Sequence, residues 1–299
     1  MHQIYKNIKV VKMVKSLKDL LNLLKRKILF FTKNKNNNFQ FTNKAIKMFD
    51  KFYKKIKNEQ PTKERKVAKF LLLFIYANIK AFISLCNSKN QFNDASAILH
   101  LRPILEAFVN FNYIFNKNNS ERNTLIELFA NYETIKLYKL AQEYKLLSNQ
   151  GWQSIKDQYE KLQSFYEDLD KSGSYKGIKE KVYEKGNKWI NKNFKEILKG
   201  SSLATNEYEL RGFISIYSIT SGLIHGSASL ASKFFTNLKV SLYDCYSYDL
   251  VLAYKLIQCL NLALNKNIFY VDEKFKKQIY EYKENLESML ENIINNKIH

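Results

Sequence analysis

Two groups of polar residues occur at helical spacing in otherwise apolar or small-residue segments. Arg102 and Glu106 lie four residues apart in LRPILEAFVNFNYI, and Tyr217, Ser221 and His225 keep the same spacing in YSITSGLIHGS. Side chains four residues apart share one face of an α-helix. A guanidinium binds phosphate or carboxylate groups, and an imidazole transfers protons near neutral pH. Because buried charges are costly unless paired, we expect the two helices to face each other across a polar site.

A structural interpretation of the same residues stays open. The chain uses 44 Lys but only five Arg, so an Arg on an apolar helix indicates a need for the planar guanidinium. Alternatively, Arg102 and Glu106 form an ion pair that locks two core helices together, and His225 is a core histidine that donates to a serine or a carbonyl group. His100 is the other internal histidine. It lies on a different helix face from Glu106, and we rank it below His225.

The sequence predicts neither a metal nor a cofactor. No His, Cys or carboxylate pair has the usual ligand spacing, and no glycine-rich nucleotide motif or nucleophile-elbow motif occurs. Cys86, Cys245 and Cys259 are far apart and odd in number, which is typical of buried thiols in a reducing cytoplasm. We therefore expect a cytoplasmic protein.

The elements that must position these residues are helices. Only 8 Gly and 2 Pro occur, too few for the turns of a sheet-rich fold, so the prediction is all-α, a bundle of long helices. Pro103 should kink its helix beside Arg102. The segment FLLLFIYANI is apolar all round and is predicted to be central. Helices are expected at about 4–31, 42–57, 63–86, 93–115, 120–147, 152–169, 187–198, 207–235, 247–267 and 272–296.

Positive charge is concentrated at the N-terminus. The chain has a net charge of +21, and residues 1–57 hold 16 basic against 2 acidic residues. This excess predicts an anionic partner, either RNA or another nucleic acid or, ranked last, an anionic membrane surface, although an A/T-biased coding sequence would also enrich Lys. The residues expected to bind nucleic acid are Lys12, Lys15, Lys25, Arg26, Lys27, Lys54 and Lys55.

Two segments follow from this distribution. Residues 1–57 are predicted to form basic amphipathic N-terminal helices, and residues 58–299 the helical bundle that carries the polar site. The uncharged run Gly212–Ser232 is 21 residues long but contains seven Ser/Thr, so a buried bundle helix is favoured over stable membrane insertion. A partner protein or a further copy of the chain is compatible with this organisation.

At these residues the chain resembles an uncharacterised family of bacterial helical proteins, catalogued as domain of unknown function 5677. That family shows an Arg-x-x-x-Glu on an apolar helix, then a Tyr, a Trp and a second Tyr, and finally Tyr-x-x-x-Ser-x-x-x-His-Gly-Ser. The resemblance covers roughly residues 65–260, and Pro103 departs from the pattern. The matching residues are Arg102, Glu106, Tyr113, Trp189, Tyr208, Tyr217, Ser221, His225, Gly226 and Ser227.

The helical make-up with polar Arg and His is also similar to that of the HEPN ribonucleases of toxin and phage-defence systems. This resemblance implies metal-independent RNA cleavage, in which Arg and His assist attack of the ribose 2′-hydroxyl. The HEPN signature, an Arg followed four to six residues later by His, is absent, so Arg102 would supply the cation from another helix than His225. The alternative is a non-catalytic binding or regulatory module whose basic N-terminal helices dock on nucleic acid or a partner protein.

Overall fold

A computed structural model describes residues 39–87, 91–148, 150–186, 188–204, 207–224 and 248–295. Within these ranges the protein is all-α, as predicted: ten α-helices and no strand. The helices are α1 Gln40–Ile56, α2 Lys63–Asn87, α3 Gln91–Phe115, α4 Asn119–Glu143, α5 Gln153–Lys161, α6 Gln163–Lys171, α7 Phe194–Gly200, α8 Glu207–Ile224, α9 Asp249–Asn265 and α10 Glu273–Asn295.

Helix starts follow local capping chemistry. Thr62 Oγ1 accepts a hydrogen bond from the backbone amide of Arg65, so α2 begins where the Pro61-Thr62 signal places it. The Asn118 side chain accepts from the amide of Glu121 at 3.0 Å and caps α4. These bonds satisfy backbone donors that the first turn of a helix leaves unpaired.

The described residues belong to two compact units. Unit 1 contains the described residues within 1–60, 68–115 and 198–299, and unit 2 contains those within 61–67 and 116–197. In unit 1, α9 packs against α1, α3 and α10, and α3 packs against α8. Phe49 and Phe52 of α1 are buried in this core, so α1 is an integral part of unit 1.

Unit 2 is built around α4, α5, α6 and a π-helical turn, Lys179–Glu184. Three tyrosine rings form a stack: Tyr159 is 3.7 Å from Tyr138 and 4.4 Å from Tyr183, measured between ring centroids. The hydroxyls of Tyr159 and Tyr183 each donate to the other residue's carbonyl oxygen. Gly186 has φ 65°, and a Cβ there would lie 2.8 Å from Lys139 Cγ.

Three helix predictions were wrong in detail. Residues 152–169 form two short helices separated at Leu162. In the described part of the predicted 187–198 helix, residues 188–198, α-helix begins at Phe194. The apolar α2 segment is not enclosed on every side, because Phe70 is 56% and Phe74 40% exposed. A prediction of burial from the uniformly apolar sequence of this helix therefore overestimated how much of it is buried. Helix α3 includes Pro103, and the kink beside Arg102 stays a prediction.

Among the described residues, one helix is long and apolar enough to cross a membrane by length and composition. It is Lys63–Asn87, and 39% of its apolar window is buried inside the protein. Core helices of globular proteins meet the same criterion, so the finding carries little weight.

Candidate functional site

Arg102 and Tyr217 meet across the contact between α3 and α8. The guanidinium carbon of Arg102 lies 5.1 Å from the centroid of the Tyr217 ring, a cation–π distance. On the other side, Arg102 Nε donates to Glu106 Oε1 at 2.9 Å. The two groups of polar residues predicted to face each other therefore meet at Arg102, Glu106 and Tyr217.

The electrostatic setting keeps Arg102 charged and oriented. Burial opposes the charge, but the hydrogen bond and charge of Glu106, together with Tyr217, outweigh it and raise the pKa of Arg102. The Arg102 side chain is 20% exposed and that of Glu106 39% exposed. The guanidinium is thus fixed by two partners while it still reaches solvent.

Solvent reaches Arg102 through a shallow open groove between α2 and α3. Its volume is about 520 Å³. We call this feature the Arg102 groove, and it is lined by Phe74, Asn78, Leu99, His100, Arg102, Pro103 and Glu106.

His100 occupies a defined position in the Arg102 groove. Its Nδ1 lies 3.1 Å from Asn78 Oδ1, while Asn78 Nδ2 donates to the carbonyl oxygen of Phe74. The second bond fixes the orientation of the amide, so the atom that faces His100 is an acceptor and Nδ1 must donate to it. The proton of the neutral imidazole then resides on Nδ1, and Nε2 is left as a proton acceptor.

This position gives His100 a place in the groove that sequence reasoning did not predict. The imidazole lines the same groove as Arg102 and Glu106, although it lies on a different face of α3 from Glu106. Helical spacing predicted that Arg102 and Glu106 share one face of α3. It does not show which neighbouring helix packs beside α3 and forms a groove that includes both faces. Asn78 and Phe74 were missed for the same reason, since their role depends on how α2 packs.

The other predicted site residues have different outcomes. Ser221 is half-buried one turn beyond Tyr217 on α8. His225 lies outside the described residues, so its approach to Arg102 stays a prediction. Asn110 and Tyr113 continue the helical spacing of Arg102 and Glu106 along α3, and we call this row of residues the Arg102 stripe. Asn110 is half-buried and Tyr113 is 1% exposed, so the stripe passes from the open groove into the core.

Tyr113 is held by a close contact with the end of α7. A Cβ at Gly200 would lie 2.7 Å from Tyr113 Cε2, so the absence of a side chain at Gly200 permits the buried ring to pack there. The buried end of the stripe therefore has a packing role that differs from the open end at Arg102.

The predicted basic residues are only partly described. Lys12, Lys15, Lys25, Arg26 and Lys27 lie outside the described residues. On α1, Lys54 is exposed, whereas Lys55 Nζ forms an ion pair with Asp272.

Metal-ligating side chains are not clustered in the described part of the chain. There, no group of three or more His, Cys, Asp or Glu residues is placed to hold a metal ion. Cys86 and Cys259 are buried thiols outside any disulfide, and burial raises the pKa of Cys259 to about 12. Such a thiol is largely un-ionised near neutral pH and is a poor nucleophile.

Comparison with known proteins gives one positive result. No curated protein and no solved structure matches the chain. Residues 65–239, more than half of the chain, match the profile described as a family of unknown function, DUF5677. This range includes Arg102, Glu106, Tyr217 and Ser221, and it confirms the family resemblance inferred from their spacing. The protein is a member of the DUF5677 family.

Proposed function

We propose that the protein is a nucleic-acid-associated, metal-independent ribonuclease that holds an RNA phosphodiester in the Arg102 groove. The observation that carries the proposal is the placement of Arg102. Its guanidinium is fixed by Glu106 and Tyr217 on the wall of an open groove that also presents an imidazole. A fixed cation beside a proton acceptor is the arrangement that phosphodiester cleavage without a metal requires.

The proposed reaction assigns a role to each group. His100 Nε2 takes the proton of the ribose 2′-hydroxyl, and the 2′-oxygen attacks phosphorus. Arg102 stabilises the added negative charge, and Glu106 orients Arg102. The bond from phosphorus to the 5′-oxygen breaks as an acid protonates that oxygen, which leaves a 2′,3′-cyclic phosphate and a 5′-hydroxyl. His225 is the proposed acid, and Ser221 is proposed to orient it.

The exposed face of α1 supplies a surface that would gather RNA. Lys47, Lys51 and Lys54 are exposed and follow at steps of four and three residues, so they form one basic stripe. A stripe of this kind contacts phosphates without reading sequence. It is proposed to raise the local concentration of RNA rather than to take part in cleavage.

Cleavage of a labelled RNA by the full-length chain in EDTA tests the proposal. We expect wild-type protein to release products that end in a 2′,3′-cyclic phosphate. Arg102→Ala should lower the rate by about 100-fold or more, because it removes the charge that stabilises the transition state. His100→Ala should lower it by about 100-fold, since the base that takes the 2′-proton is lost.

The matched control is Arg211→Ala. Arg211 is an exposed arginine on α8, so its removal changes the net charge equally but leaves the Arg102 groove intact. Its rate should stay within about threefold of wild type, the size of a screened long-range charge effect. No cleavage by wild-type protein in EDTA, or equal rates for wild type, Arg102→Ala and His100→Ala, would refute the ribonuclease proposal.

A second candidate is a non-catalytic RNA-binding module. Two observations favour it: the basic stripe of Lys47, Lys51 and Lys54, and the ion pair in which Glu106 already binds the guanidinium of Arg102. This function predicts salt-sensitive RNA binding that is lost in Lys47→Glu/Lys51→Glu/Lys54→Glu, without any cleavage. These substitutions are preferable to deletion of residues 1–57, which would remove Phe49 and Phe52 from the core. RNA binding that survives the triple substitution would contradict this candidate.

A further inference from the structure

We propose that Phe70 and Phe74 form a stacking platform for the bases of single-stranded RNA, which would make the protein selective for unpaired strands. The inference rests on the proposed function, because it extends the Arg102 groove along the surface of α2. We call these two side chains the phenylalanine platform.

Exposure distinguishes these two rings from the other phenylalanines near them. Phe70 is 56% and Phe74 40% exposed, whereas Phe49, Phe52 and Phe82 are each at most 2% exposed. The rings of Phe70 and Phe74 lie one helical turn apart, with centroids 6.0 Å apart and planes inclined by 23°. Nearly parallel rings on a helix surface present π-faces on which planar bases stack without regard to sequence.

The phenylalanine platform leads directly into the proposed site. Phe74 belongs to the pair and also lines the Arg102 groove with His100 and Arg102. The carbonyl oxygen of Phe74 further accepts the hydrogen bond that orients Asn78 against His100. An RNA strand whose bases stack on the platform would therefore place a phosphodiester beside the imidazole of His100 and the guanidinium of Arg102.

Charges beside the platform favour a polyanion over an apolar partner. Exposed Lys66 lies four residues before Phe70 on the same face of α2, and Arg102 lines the groove with Phe74. The net charge of +21 acts in the same direction. Combined basic and aromatic side chains are typical of surfaces that bind single strands, whose bases are accessible, whereas duplex bases are stacked on one another.

Binding of defined oligonucleotides tests the platform. The full-length chain is titrated with three 2′-fluoro 12-mers, which lack the nucleophilic hydroxyl: a single strand, its duplex, and an abasic strand of equal charge. We expect wild-type protein to prefer the single strand at least tenfold over the abasic strand. Phe74→Ala and Phe70→Ala should each weaken single-strand binding by about 5- to 100-fold, the range for loss of one base–aromatic stack. Neither variant should alter abasic-strand binding.

Two further variants separate stacking from general damage. Phe74→Trp retains an aromatic face and should keep the preference for the single strand. Tyr280→Ala removes another aromatic ring, 51% exposed and distant in sequence, and should bind all three oligonucleotides as wild type does. Equal weakening of single-strand and abasic-strand binding by Phe74→Ala, or no effect of either Phe variant, would overturn the platform.

The outcomes for the two proposals are distinguishable. If Phe74→Ala loses the single-strand preference while Arg102→Ala and His100→Ala leave cleavage unchanged, the platform stands and the catalytic proposal fails. If cleavage depends on Arg102 but single and abasic strands bind equally, the platform fails alone. Self-association or binding to anionic phospholipid vesicles that is lost in Phe70→Ala, with unchanged RNA binding, would assign this face to another occupant and overturn the inference.

Discussion

Arg102 and Arg122 form ion pairs of the same length in very different settings. In both, Nε lies 2.9 Å from a Glu Oε1. Arg102 pairs with Glu106 one turn away on the same helix, and the two side chains are 20% and 39% exposed. Arg122 of α4 pairs with Glu64 of α2, within unit 2, and these side chains are 10% and 31% exposed.

The difference concerns what each pair can stabilise. A pair within one helix does not by itself fasten two helices together, so the structural interpretation of Arg102 and Glu106 depends on Tyr217 and stays a prediction. Only Tyr217 links Arg102 to a second helix in the contacts that the structure describes. The pair of Arg122 and Glu64 does join two helices, and Arg122 also donates to Asn119 Oδ1 at 2.8 Å. We infer that Arg122 serves the fold and that Arg102 is available for chemistry.

The largest effect on stability is therefore expected at Arg122. Replacing Arg122 with Met leaves Glu64 without its cation in a setting where the facing atoms are sealed from solvent. We expect the free energy of unfolding of unit 2 to fall by about 2–3 kcal/mol, less than for a fully buried pair because Glu64 is partly exposed. Urea unfolding followed by circular dichroism, with hydrogen exchange of unit 2 peptides, measures this change.

The matched variant is Arg102→Met. An exposed pair one turn apart contributes little, so the loss should be under about 1 kcal/mol. A loss at Arg102 as large as that at Arg122 would break the distinction between the two arginines and return Arg102 to a structural role.

A smaller effect tests the buried end of the Arg102 stripe. Gly200→Ala places a methyl group 2.7 Å from a ring carbon of Tyr113, which is 1% exposed and has little room to move. We expect the free energy of unfolding to fall by about 1–3 kcal/mol, as for overpacking elsewhere. Thermal and urea unfolding of the variant measure it.

The control for Gly200 is Gly173→Ala, because a Cβ at Gly173 meets nothing within 4 Å. This variant should change stability by less than about 0.5 kcal/mol. Adding Tyr113→Leu to Gly200→Ala should recover part of the loss, since it removes the ring carbons that collide. No recovery would show that the cost at Gly200 has another origin.

The sequence contained more information on the fold than on the site. Helical periodicity, caps and scarce Gly and Pro predict the all-α class and most helix bounds, because each depends on neighbouring residues. The pairing of Arg122 with Glu64, 58 positions apart, has no local signal. The capping of α1 by Asp249 also has no local signal, because Asp249 accepts hydrogen bonds from the distant amides of Phe41 and Thr42.

The candidate site divides in the same way. The spacing of Arg102 and Glu106 is local and could be found by inspection, and the meeting with Tyr217 was expected from two polar helix faces. The place of His100 in the groove was not predicted, because its neighbours Asn78 and Phe74 come from α2. Packing between helices decides which helix faces form a groove. The periodicity of a sequence shows which residues share a face, but not which helices are neighbours.

Asp249 provides a buried charge that has no cationic partner among its described contacts. Burial raises its pKa, although hydrogen bonds from Thr42 and Phe41 lower it, and the net change is upward. A carboxyl whose folded pKa exceeds the unfolded value contributes stability below the unfolded pKa and loses it as pH rises through the folded pKa. Asp249→Asn turns Nδ2 towards one of these two backbone donors, so it should lose about 1–3 kcal/mol near pH 4. The difference from wild type should shrink as pH rises above the ordinary carboxyl range.

Asp272→Asn is the control of opposite sign. The hydrogen bond from Lys55 lowers the pKa of Asp272, so its contribution is present above the ordinary carboxyl pKa and is lost as pH falls. The difference between wild type and Asp272→Asn should therefore grow with pH while that for Asp249→Asn shrinks. Unfolding curves collected at several pH values between 4 and 7 compare the two. If the two stability differences changed with pH in the same direction, burial would not raise the pKa of the Asp249 carboxyl.

The smallest expected change in stability gives the sharpest test of Arg102. Glu106→Gln keeps the size of the side chain and removes its charge, and an exposed pair at this spacing is worth only about 0.3–0.5 kcal/mol. Its effect on RNA should be larger, because Glu106 competes with a phosphate for the same guanidinium. Without that carboxylate, repulsion of the phosphodiester also disappears, so affinity for the RNA single strand should rise several-fold.

Cleavage by Glu106→Gln should change in the opposite direction. The proposed function uses Glu106 to hold Arg102 in the position where charge develops on phosphorus, so the single-turnover rate should fall while binding strengthens. A structural ion pair would change neither quantity, and a pure binding groove would gain affinity with no rate to lose. Tighter binding together with slower cleavage therefore belongs only to an arginine that meets the phosphate and is positioned by its neighbour on the same helix.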